Sequence, residues 1–589
     1  MSRRLLLGSI SVSYDVWLPY GAGSLISYAL HHADTHGVVF DEPLYKWLPD
    51  DQLADKLRGV DLLALTCYVW NQDYNDHIAT VCKQINPHVK VLYGGPNIPL
   101  DKALHADFAA AHSAADAFIA GPGEQAFCDI ISKIDDDPAL WPHCFGLGFD
   151  NSSGRLSQPT ADNMPQPYLD GVFDSILAKE TAIKASFETN RGCPFRCAFC
   201  DWGGQANSRV IKFDMPAVQA TIDYLYAHAN IREIEILDAN FGMHRRDLET
   251  VRSMLAAKQR TGNNPSVSYS GLVKNGSPHL AEIIRIIHND LGAQRRHLKL
   301  SFQSHSKQTL DVMLRDNIDN THLLQLLHDL RADGISVSSE MIIGMPGETA
   351  ESWLSSQSVD YAHGIGFMRT YLLNVVTNTV LYQQDFREQH GIKTKTVSFP
   401  YANKSIDKRV LLSEPDLRVH GDKHETYEIV YQCHSFDLSE LRLMFRYFWY
   451  YHNFYNSKAL RGTIAHLASN GHDIAAQAHM FYDNLYLSPL LERIICKQDD
   501  IISQLFKPEQ HTVIDSYAAY RFFAGSLRTD DLYQLCLNRE SVVSDLIRMF
   551  SADAVLSEVI RADVASWISP DVGQKELAKR LLSHSATLA

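Results

Sequence analysis

The sequence predicts a multidomain α/β protein, and three observations carry that reading. Over residues 1–145 short apolar strands alternate with helical stretches, the pattern of a doubly wound parallel sheet. Over 181–395 six further strand–helix units follow one another. Over 396–589 that rhythm stops and the pattern becomes mainly helical. At 589 residues the chain is too long for one hydrophobic core, so several domains are expected, with 146–180 as a linker.

In the first domain the strands are read at 4–9, 62–67, 89–93 and 117–120, with helices at 25–32, 75–85 and 124–131. Open parallel sheets take ligands at the carboxyl ends of their strands. Those ends read Thr66-Cys67-Tyr68-Val69-Trp70-Asn71, Gly94-Gly95-Pro96-Asn97 and Gly121-Pro122-Gly123-Glu124. Glycine there lets backbone approach a flat ligand closely. Taken singly, each of these glycines is more often only a turn.

In the middle region the strands are read at 185–190, 234–237, 267–270, 298–302, 336–343 and 370–375. The helices between them are read at 216–227, 248–259, 280–288, 307–314, 323–331 and 350–362. Repeated βα units gather catalytic groups at the carboxyl strand ends. Here those ends include Leu237-Asp238-Ala239-Asn240-Phe241, Ser301-Phe302-Gln303-Ser304 and the run from Glu340 through Gly344 to Gly347-Glu348-Thr349. Glu348 has a plain alternative, since acid is favoured at a helix N-terminus. Lys274-Asn275 either reaches the same cavity or sits in a solvated loop.

In the last third Ser435 or Asp437 suits an N-cap for a helix over 438–455. Phe445, Tyr447, Phe448, Trp449, Tyr450 and Tyr451 crowd that helix too densely to face one way. Core packing is the plain reading and a substrate-pocket wall the functional one. Further helices are read at 464–468, 501–505, 517–524 and 542–550.

The chemistry is concentrated in Cys193, Cys197 and Cys200, spaced C-x3-C-x2-C. Three cysteines this close converge on one centre. Thiolates hold iron–sulfur clusters. Three ligands to a [4Fe–4S] cubane leave one iron open, as catalytic metals keep an open coordination position. A structural zinc site would want a fourth ligand, and no Cys or His stands nearby in a zinc-like pattern.

Bulk properties exclude several function classes. A formal net charge of −15 argues against nucleic acid as a partner, because phosphate binding needs a basic surface. No apolar run reaches transmembrane length, so no membrane partner is expected. The opening Arg3-Arg4-Leu5-Leu6-Leu7 imitates a signal peptide, but it is short and lacks an A-x-A-like site; a first buried strand is the better reading. Seven of the ten cysteines are scattered without a disulfide framework. A labile cluster and free thiols both point to a reducing cytoplasm.

With its spacing and Phe199 just before the third cysteine, the triad resembles the cluster loop of the radical S-adenosylmethionine (SAM) enzymes. The resemblance implies that the open iron takes the amino and carboxylate groups of SAM. One electron then breaks a C–S bond and releases a 5′-deoxyadenosyl radical. It places Phe199 near the adenine, Asp238 and Asn240 where the family holds the SAM amine, and Ser301 and Gln303 where it holds the carboxylate or ribose. The run carrying Glu340, Gly344 and Glu348 resembles the family's G-x-P-G-E-T signature. The six βα units then form a partial (β/α)6 barrel, and an electron donor such as flavodoxin or ferredoxin is implied.

The order of motifs is more specific. Pro19-Tyr20-Gly21, a G-G-P loop, a G-x-G-E loop and then the triad together resemble the cobalamin-dependent radical SAM enzymes. That resemblance implies an N-terminal Rossmann-like domain holding a corrin over the barrel. Its site would comprise Pro19, Gly21, Thr66, Trp70, Asn71, Gly94, Gly95, Pro96, Gly121, Gly123 and Glu124. Asp34-Thr35-His36-Gly37 lacks the spacing of the cobalamin motif D-x-H-x-x-G. Cobalamin is therefore expected with its base displaced and no histidine beneath cobalt, the loop from Tyr68 to Asp73 facing that lower side.

The implied activity is a methyltransferase, passing a methyl group from SAM through methylcobalamin to an unactivated carbon or to phosphorus. Asp201-Trp202-Gly203 also resembles the branch that methylates an indole carbon. The expected substrate is a natural product or a peptide. A rearrangement or cyclisation with the same cofactors is the alternative. A methylthiotransferase would need three more placed cysteines, and Cys67, Cys82, Cys128 and Cys144 form no such set. A cobalamin sensor or carrier would have no need of the triad.

Overall fold

A computed structural model describes residues 2–11, 15–152, 156, 158–202, 209–271, 277–292, 297–318, 320–400, 424–506, 512–513 and 534–567. Gly203, Lys274, Asn275 and the helix expected at 517–524 lie outside these residues.

Leu5, Leu6 and Leu7 are buried in succession on the strand Arg3–Gly8. A run buried on both faces is what a central strand of a parallel sheet requires. In the sheet, Val38–Phe40 flanks this strand on one side, and Leu62–Thr66, Lys90–Gly94 and Ala117–Ile119 follow on the other, all parallel. The strand order therefore reverses at Arg3–Gly8, creating the crevice in which such sheets bind ligands. Cys144–Gly146 and Phe149–Asp150 add an antiparallel hairpin at the far edge. These last two strands and Val38–Phe40 were not expected. Each has two or three residues, too few for a periodic pattern to register.

The six expected barrel strands are present. Ile183–Phe187, Ile231–Ile236 and Ser266–Tyr269 form one parallel ladder, and His297–Gln303, Ser336–Ile343 and Phe367–Leu372 form a second. Helices Met215–Ala227, Arg245–Thr261, Leu280–Arg285, Lys307–Val312, Asn320–Ala332 and Ala350–Ala362 alternate with them. One strand comes from outside the region: Val16–Trp17 pairs parallel with Ile183–Phe187 and extends the first ladder.

The last third is helical, as expected, but also carries an unexpected sheet. Lys393–Pro400 pairs antiparallel with His424–Gln432, which pairs in turn with Asn374–Val375. No short turn joins the long pair, so the usual hairpin signal is missing. Asp437 caps the helix Leu438–Tyr450, its side chain accepting from the backbone N–H groups of Ser439 and Glu440. Trp449, Tyr450 and Tyr451 are fully buried in the core. Phe445 and Phe448 line the cavity described next, so this aromatic stretch packs the core on one face and forms a cavity wall on another. Among the described residues no helix is long and apolar enough to cross a membrane.

Candidate active site

A cavity of about 1200 Å³ lies where the strand ends of the first sheet, the barrel mouth and the C-terminal domain meet. From the first domain, Pro19, Gly21, Thr66, Trp70, Gly94, Gly95, Pro96, Gly121, Gly123 and Glu124 all line it. A Cβ at Gly94 would find only the Ile119 side chain, 4.0 Å away, so this wall is bare backbone open to the cavity. Gly95 has φ +108°, and a Cβ there would sit 2.8 Å from the Cys67 carbonyl oxygen. Only glycine allows the loop to fold against that strand end.

Trp70 is 42% exposed and stacks on Tyr68 at 4.5 Å with an 11° interplanar angle. Asn71 does not line the cavity. It is fully buried, accepts from the Tyr68 N–H at 2.8 Å and donates to the carbonyls of Thr66 at 3.1 Å and Ile10 at 3.2 Å. Its work is to hold the loop that presents Tyr68 and Trp70.

The cysteine loop lies at the barrel mouth. Cys193 and Cys197 are buried, Cys200 is partly exposed, and Phe199 lines the cavity. The loop is pinned by its backbone: Ala198 donates to the Met313 carbonyl and accepts from Leu381, each at 2.8 Å. Asn240 donates through Nδ2 to Cys193 Sγ at 2.9 Å. Arg315, missed in the sequence reading, is buried with Nη1 3.8 Å from Cys197 Sγ and its guanidinium 5.9 Å from the Phe199 ring centroid. Burial lowers its pKa, and the three cysteines oppose that shift. Two donors thus stand at the sulfurs, one of them cationic. Among the described residues no three His, Cys, Asp or Glu side chains are placed to share a single metal ion. A cubane asks otherwise of its ligands, since each cysteine binds its own iron.

Around the barrel mouth the expected residues divide. Gln303 lines the cavity, has φ +69°, and its buried Oε1 has no hydrogen-bond partner. Asn240 Oδ1 and Thr370 Oγ1 are likewise buried without partners. Asp238 is turned away from the cavity, which Leu237 and Ala239 line instead. Its carboxylate accepts from Thr189 N at 2.7 Å, from Asn190 N at 3.2 Å, from Asn190 Nδ2 at 2.6 Å and from the Thr189 hydroxyl. Burial pushes its pKa up to about 7, against the pull of these hydrogen bonds.

Glu340 is buried and accepts from Ser301 Oγ at 2.7 Å and from the Tyr371 hydroxyl at 3.1 Å, with Lys299 Nζ at 3.6 Å. Of these residues, Tyr371 lines the cavity. Gly344 and Gly347 both have positive φ, and a Cβ on Gly347 would press within 3.2 Å of the Gln308 carbonyl. Glu348 is wholly buried below this turn, accepting from Ser304 Oγ at 2.7 Å and from Ser352. Burial raises its pKa. Its place matches the plain reading of a residue that secures a helix start.

Arg191, two residues before the first cysteine, joins the two halves of the site. It contacts Glu124 at 2.5 Å and Glu188 at 2.8 Å, and all three line the cavity. The charges of Glu188 and Arg191 reach the phenols of Tyr20 and Tyr68; burial raises both, Tyr68 to about 12. Among the described residues no histidine lines the cavity.

Residues 187–356 match the Radical SAM superfamily. The chain therefore carries a radical SAM domain, set between a doubly wound parallel sheet and a C-terminal region of helices with one small sheet. One of its relatives is a cobalamin-dependent radical SAM methyltransferase. The chain is 30% identical over 432 residues to this enzyme, TokK of Streptomyces tokunonensis, across 71% of this chain and 60% of that one. It is also 30% identical over 438 residues to the 2-(S-pantetheinyl)-carbapenam-3-carboxylate methyltransferase of Streptantibioticus cattleyicolor, across 72% of this chain and 61% of that one. The chain thus spans about three fifths of the length of these relatives. The cobalamin-dependent SAM radical enzyme OxsB, solved with aqua-cobalamin, shares the fold: TM-score 0.53, 12% identity, covering 99% of this chain and 84% of that one.

Proposed function

We propose that this protein is a cobalamin-dependent radical SAM methyltransferase. One observation carries the reading: a single cavity joins the cysteine loop, the unpartnered polar atoms of the barrel mouth and the bare-backbone strand ends of the first sheet.

The residues present fit the three groups that this function needs. Cys193, Cys197 and Cys200 would hold a [4Fe–4S] cluster, with Asn240 and Arg315 donating toward two of the sulfurs. The buried acceptor Gln303 Oε1 on the cavity wall would meet a donor such as the amine or a ribose hydroxyl of SAM. Phe199 offers its ring from the cluster loop. The loops at Thr66–Trp70, Gly94–Pro96 and Gly121–Glu124 offer the backbone wall and the stacked Tyr68–Trp70 pair that a corrin would rest on. When bound, the cluster and SAM supply radical chemistry and cobalamin supplies the methyl carrier. Around them the chain holds each group in place, and Phe445, Phe448 and Tyr427 exclude water from the C-terminal side.

The methyl acceptor is a small molecule or peptide, and the receiving atom an unactivated carbon, a phosphorus or an indole carbon. An electron-transfer protein such as flavodoxin or ferredoxin supplies electrons in the reducing cytoplasm. The test is anaerobic reconstitution followed by assays for iron, cobalt and S-adenosylhomocysteine. Metabolites from cells with and without the gene are compared in parallel for a species heavier by one methylene. Substituting all three cysteines by Ala should abolish cluster iron and SAM cleavage while cobalamin still binds. Full iron in that variant would overturn the assignment, and a cobalamin-loaded protein that never demethylates SAM would overturn the methyltransferase reading.

A further inference from the structure

We infer that Arg191 and Asn378 form a two-point clamp that fixes the corrin seat of the first domain relative to the cysteine loop of the barrel. The inference rests on the function proposed above. At the first point Arg191 leaves the barrel two residues before Cys193 and reaches Glu124, the first residue of the helix Glu124–Ile131. That helix begins where the loop Gly121–Gly123 faces the cavity. Arg191 also holds Glu188 through Nε at 3.1 Å and Nη2 at 2.8 Å, so its guanidinium is oriented before it crosses the domain boundary. A fork that engages two carboxylates restricts rotation as well as distance.

The second point stands at the other end of the barrel, beyond the sixth strand, Phe367–Leu372. Asn378 holds φ +68°. Its Oδ1 accepts from the Leu100 N–H at 2.8 Å, and its Nδ2 donates to the carbonyls of Ile98 at 2.8 Å and Pro96 at 3.0 Å. One side chain thereby ties down the backbone that continues from the Gly94–Pro96 loop. Thr377 adds a contact from Oγ1 to Asn97 at 3.3 Å. Of the loops expected beside the corrin, one is thus fastened next to the first barrel strand and another beyond the last. Two fixed points, one beside each terminal barrel strand, remove the hinge that a single contact would leave. A methyl transfer between two bound groups demands that separation be held, because reactive geometry tolerates little misplacement.

Both residues are positioning residues, and the test reads position directly. Co(II) and the one-electron-reduced cluster are paramagnetic, so pulsed electron paramagnetic resonance reports the distribution of distances between them. The variants are Arg191→Met, Arg191→Lys and Asn378→Gly. The last keeps the left-handed backbone accessible and leaves no buried charge unpaired, so it guards against loss of folding in the first. With iron and cobalt contents matching the unaltered protein, Arg191→Met and Asn378→Gly should each widen the distribution at least twofold. Arg191→Lys, which keeps the charge but loses the fork, should fall between. Distributions as narrow as the original in both Arg191→Met and Asn378→Gly overturn the clamp, even where melting temperatures fall. An unaltered protein that takes up no cobalamin overturns the functional reading and the clamp with it.

Discussion

Asn240 donates its amide N–H to the sulfur of Cys193 at 2.9 Å, from the end of the second barrel strand to the first cysteine of the loop. Hydrogen bonds to charged groups contribute about 1.5–3 kcal/mol. A donor at a thiolate favours the more negative, reduced state of a cluster. Asn240→Ala should therefore make the cluster harder to reduce. The expected drop in potential is on the order of 60 mV for each 1.4 kcal/mol lost. Redox titration followed by electron paramagnetic resonance checks it, and an unchanged or raised potential would contradict the assignment.

Gln303 keeps a buried acceptor unpaired in the cavity wall. If SAM supplies the missing donor, Gln303→Ala should weaken its binding by about 1–3 kcal/mol, roughly 5- to 150-fold. Equilibrium dialysis with the reconstituted protein measures this. An unchanged Kd removes Gln303 from the site.

Glu348 is predicted to act on stability instead. Its carboxyl is buried between Ser304 and Ser352, and Glu348→Ala leaves the Ser304 hydroxyl without its acceptor and Ser352 with only the Thr349 carbonyl at 3.1 Å. The loss should be about 2–4 kcal/mol in chemical unfolding, with SAM affinity within about twofold. A large loss of SAM affinity at unchanged stability would reverse this.

Asp238 gives the protein a pH dependence. Its pKa is about 7 in the folded state and near the ordinary 3.8 when unfolded. A raised carboxyl pKa contributes stability that is fully present below pH about 4 and is lost as pH rises through 7, with a slope up to about 1.4 kcal/mol per pH unit. Unfolding free energies at several pH values between 4 and 8, compared with Asp238→Asn, should show that slope in the parent and its loss in the variant. Equal slopes would refute the assignment.

Cobalamin should bind with its base displaced. Among the described residues no histidine lines the cavity, and His31 is engaged with Asp170 at 2.9 Å. The aromatic pair Tyr68–Trp70 stands at the strand end instead. Electron paramagnetic resonance of the Co(II) form should lack nitrogen superhyperfine splitting. A clear nitrogen triplet would send the search back to the histidines of the first domain.

What the sequence made legible were features whose cause is local. The cysteine spacing, the six βα units and the glycines at strand ends all reflect short-range patterning, and the structure places the glycine loops on one cavity. The roles of single polar residues were harder to read. Asp238 and Asn240 stand two apart in one segment, yet Asp238 is spent on Thr189 and Asn190 while Asn240 reaches a cysteine. Asn71 braces a loop whose neighbour Trp70 faces the cavity. Arg315 carries no motif, and its nearness to Cys197 depends on how the chain returns after the fourth barrel strand. Its one sequence signal was a lone cation after a short helix. The sheet built on Lys393–Pro400 was hidden because its long partner begins more than twenty residues further on.

The strand Val16–Trp17 carries a practical lesson for anyone building chimeras. It belongs to the barrel by hydrogen bonding but lies upstream of most of the corrin-side sheet in the chain. A chimera joined anywhere between the two regions, however well the junction is chosen, would carry off a rib of the barrel with the wrong module. Recombining first domains among relatives should therefore treat residues 16–17 as cargo of the recipient barrel, grafted to match its own Ile183–Phe187. The two modules share a seam, and they should be exchanged as a pair or with that rib restored.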